Sequence, residues 1–392
     1  MLRILHVVSG LSWRFGGLAA SVLTMTDALA RTGRVVVEIA TTTADGSGGC
    51  LRIQQRPRPT VPCHWFRRDA IERWKFSLGL GAWLAAHAAD YDLLHVHALW
   101  TFSTTAACWA ARRVGVPYIL TPHGMLSDYS FARGRQRKQL YWQLLERSNV
   151  RHAARIHVTS QSEADDLAAL DVVTRPAVVP LGLPEEAWTT PARPTLLRER
   201  CGAAAGTRPI LLCLGRLHPI KGIVDVLLPA MASLRRQAFL ALVGGPDEHE
   251  PGYGQQVRRE ILRLGLERDV ALLGPVAGPE RYTIFDGAEL LVLPSHYESF
   301  GLVAAEAMAR GVPVIISDRV KIADHVRAAP AGRIVPLNPA ALAQACQELL
   351  ADGGQRRQLG GAGRTYVQQY LHWPRVAQAL VDLYEEVKKP EP

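Results

Sequence analysis

Short runs of β-branched and other apolar residues alternate along the chain with longer stretches in which apolar positions recur at helical spacing. Residues 3–8 and 35–41 are typical of strands, and residues 17–31 between them are typical of an amphipathic helix. The alternation continues to about residue 180 and starts again at residues 210–215. Repeated strand–helix–strand units require a mostly parallel sheet covered by helices on both faces. The pattern therefore predicts an α/β protein with two doubly wound, Rossmann-like domains.

A proline-rich segment separates the two alternating halves. Residues 184–194 contain three prolines, a composition typical of a linker. Open parallel sheets bind ligands at the carboxyl ends of their strands, so we expect ligands in a central cleft that the two domains face. The predicted organisation is a first domain over residues 1–188, a linker over 189–208, a second domain over 209–373 and a last helix, 374–392, that returns to the first domain.

The charge of the chain indicates acidic partners. The 392 residues carry a formal net charge of +9, and only six of the 45 basic residues are lysines. Arginine binds phosphates and carboxylates bidentately through its planar guanidinium group. Basic residues are concentrated in residues 133–155, where Arg133 and other cations accompany a single acid, Glu146, and an apolar side of leucines and aromatic residues. This stretch fits either an anionic membrane surface or a solvated helix packed on its own sheet, and no motif accompanies it that would indicate nucleic-acid binding.

Cysteine usage and hydropathy favour a cytoplasmic protein. The six cysteines form no CxxC pair, and a chain of this size is stable without disulfides. The first apolar stretch is too short and too interrupted for a signal peptide, and no run approaches the roughly 18 apolar residues of a membrane span. We expect a cytoplasmic location, with peripheral attachment at the inner face of the membrane if the basic stretch binds lipid.

The loop over residues 215–222, after the first strand of the second half, carries two cations. Arg216 and Lys221 bracket a strand-to-helix turn, so both charged groups can converge on one diphosphate while helix amides add donors. Lys221 lies at a helix start, where a cation opposes the helix dipole unless an anion is bound nearby. The loop is not a Walker loop, because GxxxxGK[ST] is absent. It predicts a phosphate site, and the alternative is a solvated basic loop.

Two carboxylates flank the start of a later predicted helix. Glu298 lies in the loop after a strand, and Glu306 lies about one and a half turns into the helix. Between them the helix start offers three free amides, those of Phe300, Gly301 and Leu302. Carboxylates accept hydrogen bonds from sugar hydroxyls, and free amides donate to sugar oxygens, so the run predicts a sugar site. The alternative, ordinary charges at a helix terminus, fits poorly at Glu306 because its neighbours are apolar.

Glycines and histidines at strand ends in the first half are further candidates. Gly16 and Gly17 open a helix after the first strand, but without GxGxxG spacing they do not indicate dinucleotide binding. A lone histidine is more often structural, but His123 directly follows a strand, which favours a functional role. His95 and His97 place both rings on one face of a strand. Because no third ligand with suitable spacing is near, they indicate hydrogen-bonded histidines rather than a metal site.

Taken together, these motifs resemble glycosyltransferase family 4, the retaining nucleotide-sugar enzymes of GT-B architecture. The similarity spans nearly the whole chain, and the run from His123 through residues 152–167 looks like members that build bacterial polysaccharides and lipid-linked glycans. The matching runs, from strongest to weakest, are ESFGLVAAEAMARGVPVI (298–315), GRLHPIKG (215–222), Gly16-Gly17, DLLHVHALW (92–100) and TPHGMLSD (121–128).

For the donor, the resemblance implies a role at each matching position. Arg216 and Lys221 hold the diphosphate and neutralise the departing nucleotide. Glu306 binds the ribose hydroxyls, and Val276 lies against the base. Glu298 holds the transferred sugar together with the three helix-start amides.

For the reacting centre and the acceptor, the resemblance implies further residues. His123 lies beside the transferred sugar, and Gly16 with Gly17 approaches the phosphate or the acceptor. His97 and Trp100 lie on the acceptor side. Members of the family need no metal, so no metal or other cofactor is expected. The residues implied for catalysis are His123, Glu298, Arg216 and Lys221.

The predicted function is retaining, metal-independent hexosyl transfer from a UDP- or GDP-sugar to a lipid-linked or growing glycan acceptor. Leu181 stands where many relatives have asparagine, and residues 317–322 replace a Gly-Gly-x-x-Glu segment, so the donor and the acceptor stay open. The alternatives are a nucleotide-sugar epimerase or a glycan phosphorylase of the same fold, and a non-catalytic subunit of a glycan-assembly complex. The intact set of candidate site residues argues against the last.

Overall fold

The chain divides into two units, seen in a computed structural model that describes residues 1–132, 135–170, 172, 174–247, 250–278 and 280–389. Unit 1 combines Met1–Gly182 with Trp373–Pro392, and unit 2 is Leu183–His372. Unit 1 is therefore assembled from two separate parts of the sequence.

Unit 1 is built on a parallel sheet. Its strands are β1 (Leu2–Val8), β2 (Val35–Thr42), β3 (Cys63–Phe66), β4 (Leu93–His97), β5 (Tyr118–Thr121), β6 (Arg155–Val158) and β7 (Pro176–Val178). Among the described residues these seven strands follow the order β3-β2-β1-β4-β5-β6-β7, and every neighbouring pair is parallel. The order changes direction between β1 and β4, the position at which doubly wound sheets bind ligands.

Helices connect the strands of unit 1. A π-helical turn, Trp142–Glu146, links two of them. The helices are α1 (Gly17–Arg31), α2 (Leu78–His87), α3 (Phe102–Val114), α4 (Asp128–Ala132), α5 (Arg135–Tyr141), α6 (Arg147–Arg151) and α7 (Gln161–Ala168).

Unit 2 repeats the same architecture. Its strands are β8 (Ile210–Leu214), β9 (Phe239–Val243), β10 (Val270–Leu272), β11 (Leu290–Leu293), β12 (Val314–Ser317) and β13 (Gly332–Val335). In the described part of unit 2 these six strands are all parallel, in the order β10-β9-β8-β11-β12-β13. The helices are α8 (Glu186–Thr189), α9 (Leu196–Cys201), α10 (Leu228–Ser233), α11 (Tyr253–Arg263), α12 (Glu280–Thr283), α13 (Leu302–Ala309), α14 (Ala323–Ala328), α15 (Pro339–Ala351) and α16 (Gly353–Tyr370).

The two sheets confirm the predicted pair of doubly wound α/β domains. Every residue of β8 and β11 is buried, which is the consequence of covering a parallel sheet on both faces and the reason why these strands are continuous apolar runs. The sequence did not predict β3. That strand is a half-buried edge of four residues, so it lacks the strong apolar pattern of the inner strands.

The boundary between the units differs from the predicted one. Unit 2 begins at Leu183, ahead of the predicted domain end at residue 188. Residues 189–208 belong to unit 2, because Leu197 of α9 is buried and the amide of Arg193 donates to Asp286 at 2.8 Å. The prolines of this segment therefore shape a folded part of unit 2.

The last helix, α17 (Trp373–Lys388), belongs to unit 1 and packs against α1. Its Tyr384 is fully buried, with the hydroxyl 2.7 Å from Nδ1 of His95 on the inner strand β4. Exposed ion pairs, such as Arg34 with Glu385 at 2.6 Å, border the same contact. A buried hydrogen bond thus links the end of the chain to the middle of the first sheet.

Replacing Tyr384 with phenylalanine should destabilise unit 1. Because the change leaves a buried ring nitrogen of His95 without its partner, we expect a loss of about 1–3 kcal/mol in the free energy of unfolding. Urea unfolding followed by circular dichroism measures the loss. Tyr370→Phe is the control, since Tyr370 is 38% exposed. Equal effects of the two substitutions would contradict the assignment.

Candidate functional site

The phosphate motif of unit 2 lies in the loop between β8 and the helical turns that follow it. A short 3-10 turn, Pro219–Lys221, ends at Gly222, which has a φ of 64°. A Cβ at Gly222 would clash with the carbonyl oxygen of Pro294, so only glycine fits there. The amide of His296 also donates to the carbonyl of Ile220 at 2.7 Å. These contacts fix the loop after β8 against the loop after β11.

Lys221 and Glu298, predicted for the diphosphate and the transferred sugar, form an ion pair. The hydroxyl of Ser295 donates to the same carboxylate at 2.9 Å. The side chains of Lys221 and Glu298 are only 12% and 20% exposed, so the pair is shielded from water. The structure therefore brings together two residues that are 77 positions apart in the sequence.

Arg216 is held by a partner that the sequence did not predict. Its guanidinium group pairs with Asp247, whose side chain is almost fully buried, while the Arg216 side chain is about half exposed. Asp247 follows β9, at the same carboxyl edge of the sheet as the loop after β8. The buried carboxylate fixes the position of the arginine and leaves part of its donor surface accessible.

Glu306 lies in α13 and is buried among apolar neighbours. Both of its oxygens accept hydrogen bonds from Arg281, at 2.8 and 3.0 Å. Burial raises the pKa of Glu306, the charge of Arg281 opposes that rise, and the carboxylate raises the pKa of Arg281 in turn. Arg281 lies in α12, and Val276 is half-buried in the loop before that helix.

The three predicted helix-start amides lie where α13 begins. Within the described residues, the amides of Phe300, Gly301 and Leu302 donate no hydrogen bond. Gly301 has a φ of 102°, and a Cβ there would lie 2.8 Å from Val320. The carbonyl of Phe300 accepts from the amide of Ile322 at 2.8 Å. The helix start is thus fixed while its donors stay available.

In unit 1, His123 lies directly after β5. It has an unusual φ of 51°, and its Nε2 is 3.2 Å from Nδ1 of His97. The next amide, that of Gly124, donates to the buried carboxylate of Glu163 at 2.7 Å. Burial, followed by the influence of His157, lowers the pKa of His123 to about 3, so the ring is neutral near pH 7.

Trp100 lies in the loop after β4, also with a positive φ, of 64°. Its amide donates to Oε1 of Glu146 at 2.6 Å, and Asn149 donates to Oε2 of the same carboxylate at 3.0 Å. The Trp100 ring packs edge-on against Phe131 and Tyr141. Two buried glutamates, Glu146 and Glu163, therefore each hold a backbone amide of a loop at the carboxyl end of the sheet.

Gly16 and Gly17 begin α1, after a 3-10 turn over Trp13–Phe15. Gly16 has a φ of 60°, and its amide donates to the carbonyl of Trp13 at 3.0 Å. The glycine pair therefore closes a tight turn between β1 and α1.

The sequence found no third ligand near His95 and His97, and the structure supplies one. His6, on β1, places a ring nitrogen within 4.8 Å of nitrogens of both. All three rings are fully buried. Both nitrogens of His95 are already engaged, by Tyr384 and by Thr121 at 2.7 Å each. The cluster therefore fits the predicted hydrogen-bonded histidines, and the expectation that no metal is bound stays a prediction.

Residues 135–151 of the basic stretch fold into α5, the π-helical turn and α6, and the stretch ends at Arg155, the first residue of β6. Arg133 and Gly134 lie outside the described residues. Trp142 and Glu146 face the interior, whereas Leu140 and Leu144 are 62% and 67% exposed. Within the described part of the chain, no helix combines the length and the apolar character that a membrane span requires.

Both units match known glycosyltransferase families. Residues 16–182 match the family described as glycosyl transferase 4-like domain, and residues 208–352 match glycosyl transferases group 1. A D-inositol 3-phosphate glycosyltransferase of Streptomyces bingchenggensis is 31% identical over 79% of this chain and 70% of its own length. The chain belongs to the family 4-like glycosyltransferases. A protein of the same name from Xylanimonas cellulosilytica is 29% identical to this glycosyltransferase, over 96% of the chain and 93% of the relative.

Solved structures place this glycosyltransferase in the GT-B fold. Sucrose-phosphate synthase of Thermosynechococcus elongatus superposes with a TM-score of 0.80 at 24% identity, covering 99% of both chains. HepE of Anabaena, in complex with UDP and glucose, superposes with a TM-score of 0.77 at 21% identity, covering 98% of this chain and all of HepE.

Sequence reasoning missed five residues that support the candidate site of this glycosyltransferase. Each is a polar residue that is buried or partly buried next to a predicted residue. A signal was present for some of them, because Asp247 follows a strand and His6 interrupts an apolar strand. The five are His6, Glu146, Glu163, Asp247 and Arg281.

Glu146 should make the stability of unit 1 depend on pH. Burial raises its pKa from 4.5 to about 7, so the folded state keeps a proton that the unfolded state releases. The contribution of Glu146 to stability is therefore lost as the pH rises through this window, by about 3 kcal/mol at most between about pH 5 and about pH 8. Buried histidines of unit 1, whose pKa values burial lowers, contribute in the opposite direction, so the difference between the wild-type protein and Glu146→Gln isolates the Glu146 effect. Glu146→Gln removes the titration, and urea midpoints at the two pH values measure it.

The control for this effect is Glu348→Gln, on the exposed surface of α15. It should change stability equally at both pH values. If the Glu146→Gln variant keeps the full pH dependence of the wild-type protein in this window, the titrating group is a different one.

Proposed function

We propose that this glycosyltransferase moves a hexosyl group from a UDP- or GDP-sugar to a lipid-linked or growing glycan acceptor, in polysaccharide biosynthesis. We propose further that it retains the anomeric configuration and requires no metal. The observation that carries the proposal is the contact between Lys221 and Glu298, since it places the cation that we propose for the phosphate next to the carboxylate that we propose for the sugar.

Donor binding would exchange partners within this ion pair. The diphosphate offers Lys221 a stronger counter-charge than one carboxylate, and Arg216 adds a second cation with accessible donors. Glu298 is then free to accept hydrogen bonds from hydroxyls of the transferred sugar, beside the unoccupied amides of the α13 start. The two cations also stabilise the negative charge that develops on the departing nucleotide, which replaces the charge stabilisation of a metal ion.

Glu306 would bind the ribose. Its two oxygens accept from Arg281, but each carboxylate oxygen has a second lone pair that can accept from a ribose hydroxyl. Arg281 orients the carboxylate, and its charge opposes the rise in the pKa of Glu306 that burial causes. Val276, in the loop before α12, is the proposed contact for the base, and in unit 1 we propose His123 as a residue that contacts the substrate.

The comparisons support UDP as the first donor to test, since the HepE structures contain UDP, UDP with glucose, or UDP-glucose. A phosphorylated small acceptor is the second candidate, because the curated relatives are named for transfer to D-inositol 3-phosphate. The arginine-rich composition suits either a phosphorylated or a lipid-linked acceptor.

We also propose a cytoplasmic location with attachment to the inner face of the membrane. All six cysteines are unpaired, in agreement with a reducing compartment. Leu140 and Leu144 are exposed on the basic stretch, where Arg137 and Arg151 are also exposed. Exposed apolar side chains next to cations are the arrangement that binds an anionic lipid surface.

UDP or GDP should stabilise the protein against heat, and EDTA should leave the stabilisation intact. A ligand at 100 times its Kd adds about 2.7 kcal/mol of stability by mass action. Substituting Arg216 and Lys221 together by alanine should abolish both the thermal shift and sugar transfer. The readouts are the melting temperature with each nucleotide and the transfer rate from its sugar.

Arg263→Ala is the matched control for the double variant, since Arg263 lies on the exposed surface of α11 in the same unit and pairs with Glu260, three positions before it. A thermal shift that disappears with EDTA would contradict metal independence. Unchanged binding and transfer in the double variant would contradict the phosphate site. Product formation without an acceptor would favour an epimerase, and a requirement for free phosphate would favour a phosphorylase.

Membrane attachment predicts that Leu140→Glu with Leu144→Glu reduces binding to vesicles that contain anionic phospholipid. Two added negative charges and the loss of two apolar contacts both oppose binding, so a reduction of at least tenfold is expected from about 1.4 kcal/mol or more. Vesicle co-sedimentation measures it. Leu262→Glu, at a leucine that is 62% exposed in unit 2, is the control. Equal binding of all variants would argue for a solvated helix.

A further inference from the structure

Two hydrogen-bonded chains of histidines run through the interior of unit 1. The first, which we call the anchored chain, runs from the carbonyl of Val179 through His157, Thr121 and His95 to Tyr384. The second, which we call the relay, runs from His6 through His97 to His123 and is described below. Since a neutral histidine carries one ring proton, the direction of each hydrogen bond fixes the tautomer of the next ring.

The direction of the anchored chain follows from its first acceptor. A carbonyl can only accept, so Nε2 of His157 donates to Val179 at 2.8 Å, and Nδ1 of His157 accepts from the Thr121 hydroxyl at 3.0 Å. The Thr121 oxygen then accepts from Nε2 of His95, and Nδ1 of His95 accepts from the hydroxyl of Tyr384. His157 and His95 are therefore both protonated at Nε2.

The relay has no carbonyl to fix its direction. Nδ1 of His6 is 2.9 Å from Nε2 of His97, and Nδ1 of His97 is 3.2 Å from Nε2 of His123. At the inner end, Nε2 of fully buried His6 has no hydrogen-bond partner among the described residues. At the outer end, no described residue bonds to Nδ1 of His123, whose ring is only half-buried.

The unpartnered nitrogen of His6 decides between the two possible directions. In the first direction His123 donates to His97 and His97 donates to His6, so Nε2 of His6 would be a buried N–H group without an acceptor. In the second direction the protons lie on Nδ1 of all three rings, His6 donates to His97 and His97 donates to His123, so Nε2 of His6 buries only a lone pair. Buried N–H groups without an acceptor are rarer in proteins than under-used acceptors, which favours the second direction.

We propose that His6 and His97 are positioning residues that hold His123 in the tautomer protonated at Nδ1, so that His123 donates a hydrogen bond to an oxygen of the bound substrate. The role of His123 as a hydrogen-bond donor to the substrate rests on the proposed function, in which His123 contacts the substrate. His6 touches no ligand in this scheme and acts only through His97.

The charge states of the three rings agree with a relay of neutral tautomers. Burial lowers the pKa of His6 to about 3, and it lowers the pKa of His97 well below its usual value. Burial also lowers the pKa of His123 to about 3. Near neutral pH the three rings are therefore neutral, and each carries one proton on either Nδ1 or Nε2.

The test is heteronuclear correlation NMR of the full chain carrying isotope-labelled histidine, without substrate. Protonated and unprotonated ring nitrogens resonate far apart, so each tautomer is read directly. We expect His6, His97 and His123 to carry the proton on Nδ1, with His95 and His157 on Nε2 as internal references. A proton on Nε2 of His123 overturns the proposal. A pattern that changes on treatment with a chelator reveals a metal centre at His6, His95 and His97 and also overturns it.

The variant His97→Phe tests the link itself. Removing the middle ring should let His123 exchange between both tautomers, so that its two nitrogen signals move towards a common average, while the signals of His95 and His157 stay in place. His87→Phe, at an exposed histidine of the same unit, is the control and should leave His123 unchanged. A fixed Nδ1 proton on His123 in His97→Phe overturns the relay.

The wild-type spectrum alone still decides the tautomer if His97→Phe fails to fold. Because no substrate is present, an inactive protein with the expected tautomers would refute the proposed function and leave the relay intact. An active protein with His123 protonated at Nε2 would refute the relay and leave the proposed function intact.

Discussion

A polar group that leaves water must find a partner inside the protein, because an unpaired buried group costs several times what a typical hydrogen bond contributes. This constraint organises the loops at the carboxyl edges of both sheets. Glu163 holds the amide that follows His123, and Glu146 holds the amide of Trp100. Buried Asp247 holds Arg216 in the same way. A buried carboxylate therefore fixes the loop or the side chain of three predicted site residues, His123, Trp100 and Arg216.

The same constraint lets the candidate site combine fixed loops with donor and acceptor groups that have no protein partner in the part of the chain that the structure describes. Buried carboxylates satisfy the backbone of the loops, so the functional groups themselves keep free donor or acceptor positions. The amides at the start of α13 and Nδ1 of His123 are examples within the described residues. A preorganised set of such groups stabilises developing charge without reorganising during the reaction, which is the main way in which a protein lowers a barrier of this kind.

The sequence predicted the parts of the structure that depend on local pattern. The two parallel sheets follow from apolar strands with helices between them. Lys221 and Glu298 were predicted as site residues because each lies in a loop after a strand, and the structure places them in contact. The unpredicted residues take their roles from partners distant in sequence: His6 pairs with His97 across 91 positions, and Arg281 pairs with Glu306 across 25. The edge strand β3 was missed for a related reason, since its half-buried residues carry little apolar signal.

The division of unit 1 between the two ends of the chain has a consequence for the order of folding. Residues up to Gly182 form its sheet, but Tyr384, which completes the anchored chain at His95, lies beyond the whole of unit 2. A ribosome adds roughly 5–20 residues per second, so about 10 to 40 seconds separate the synthesis of the two parts. Unit 2 is contiguous and can fold during that interval. The first unit to be translated is thus the last to be completed. Until α17 has left the ribosome, Nδ1 of His95 lacks its hydrogen-bond partner, the hydroxyl of Tyr384.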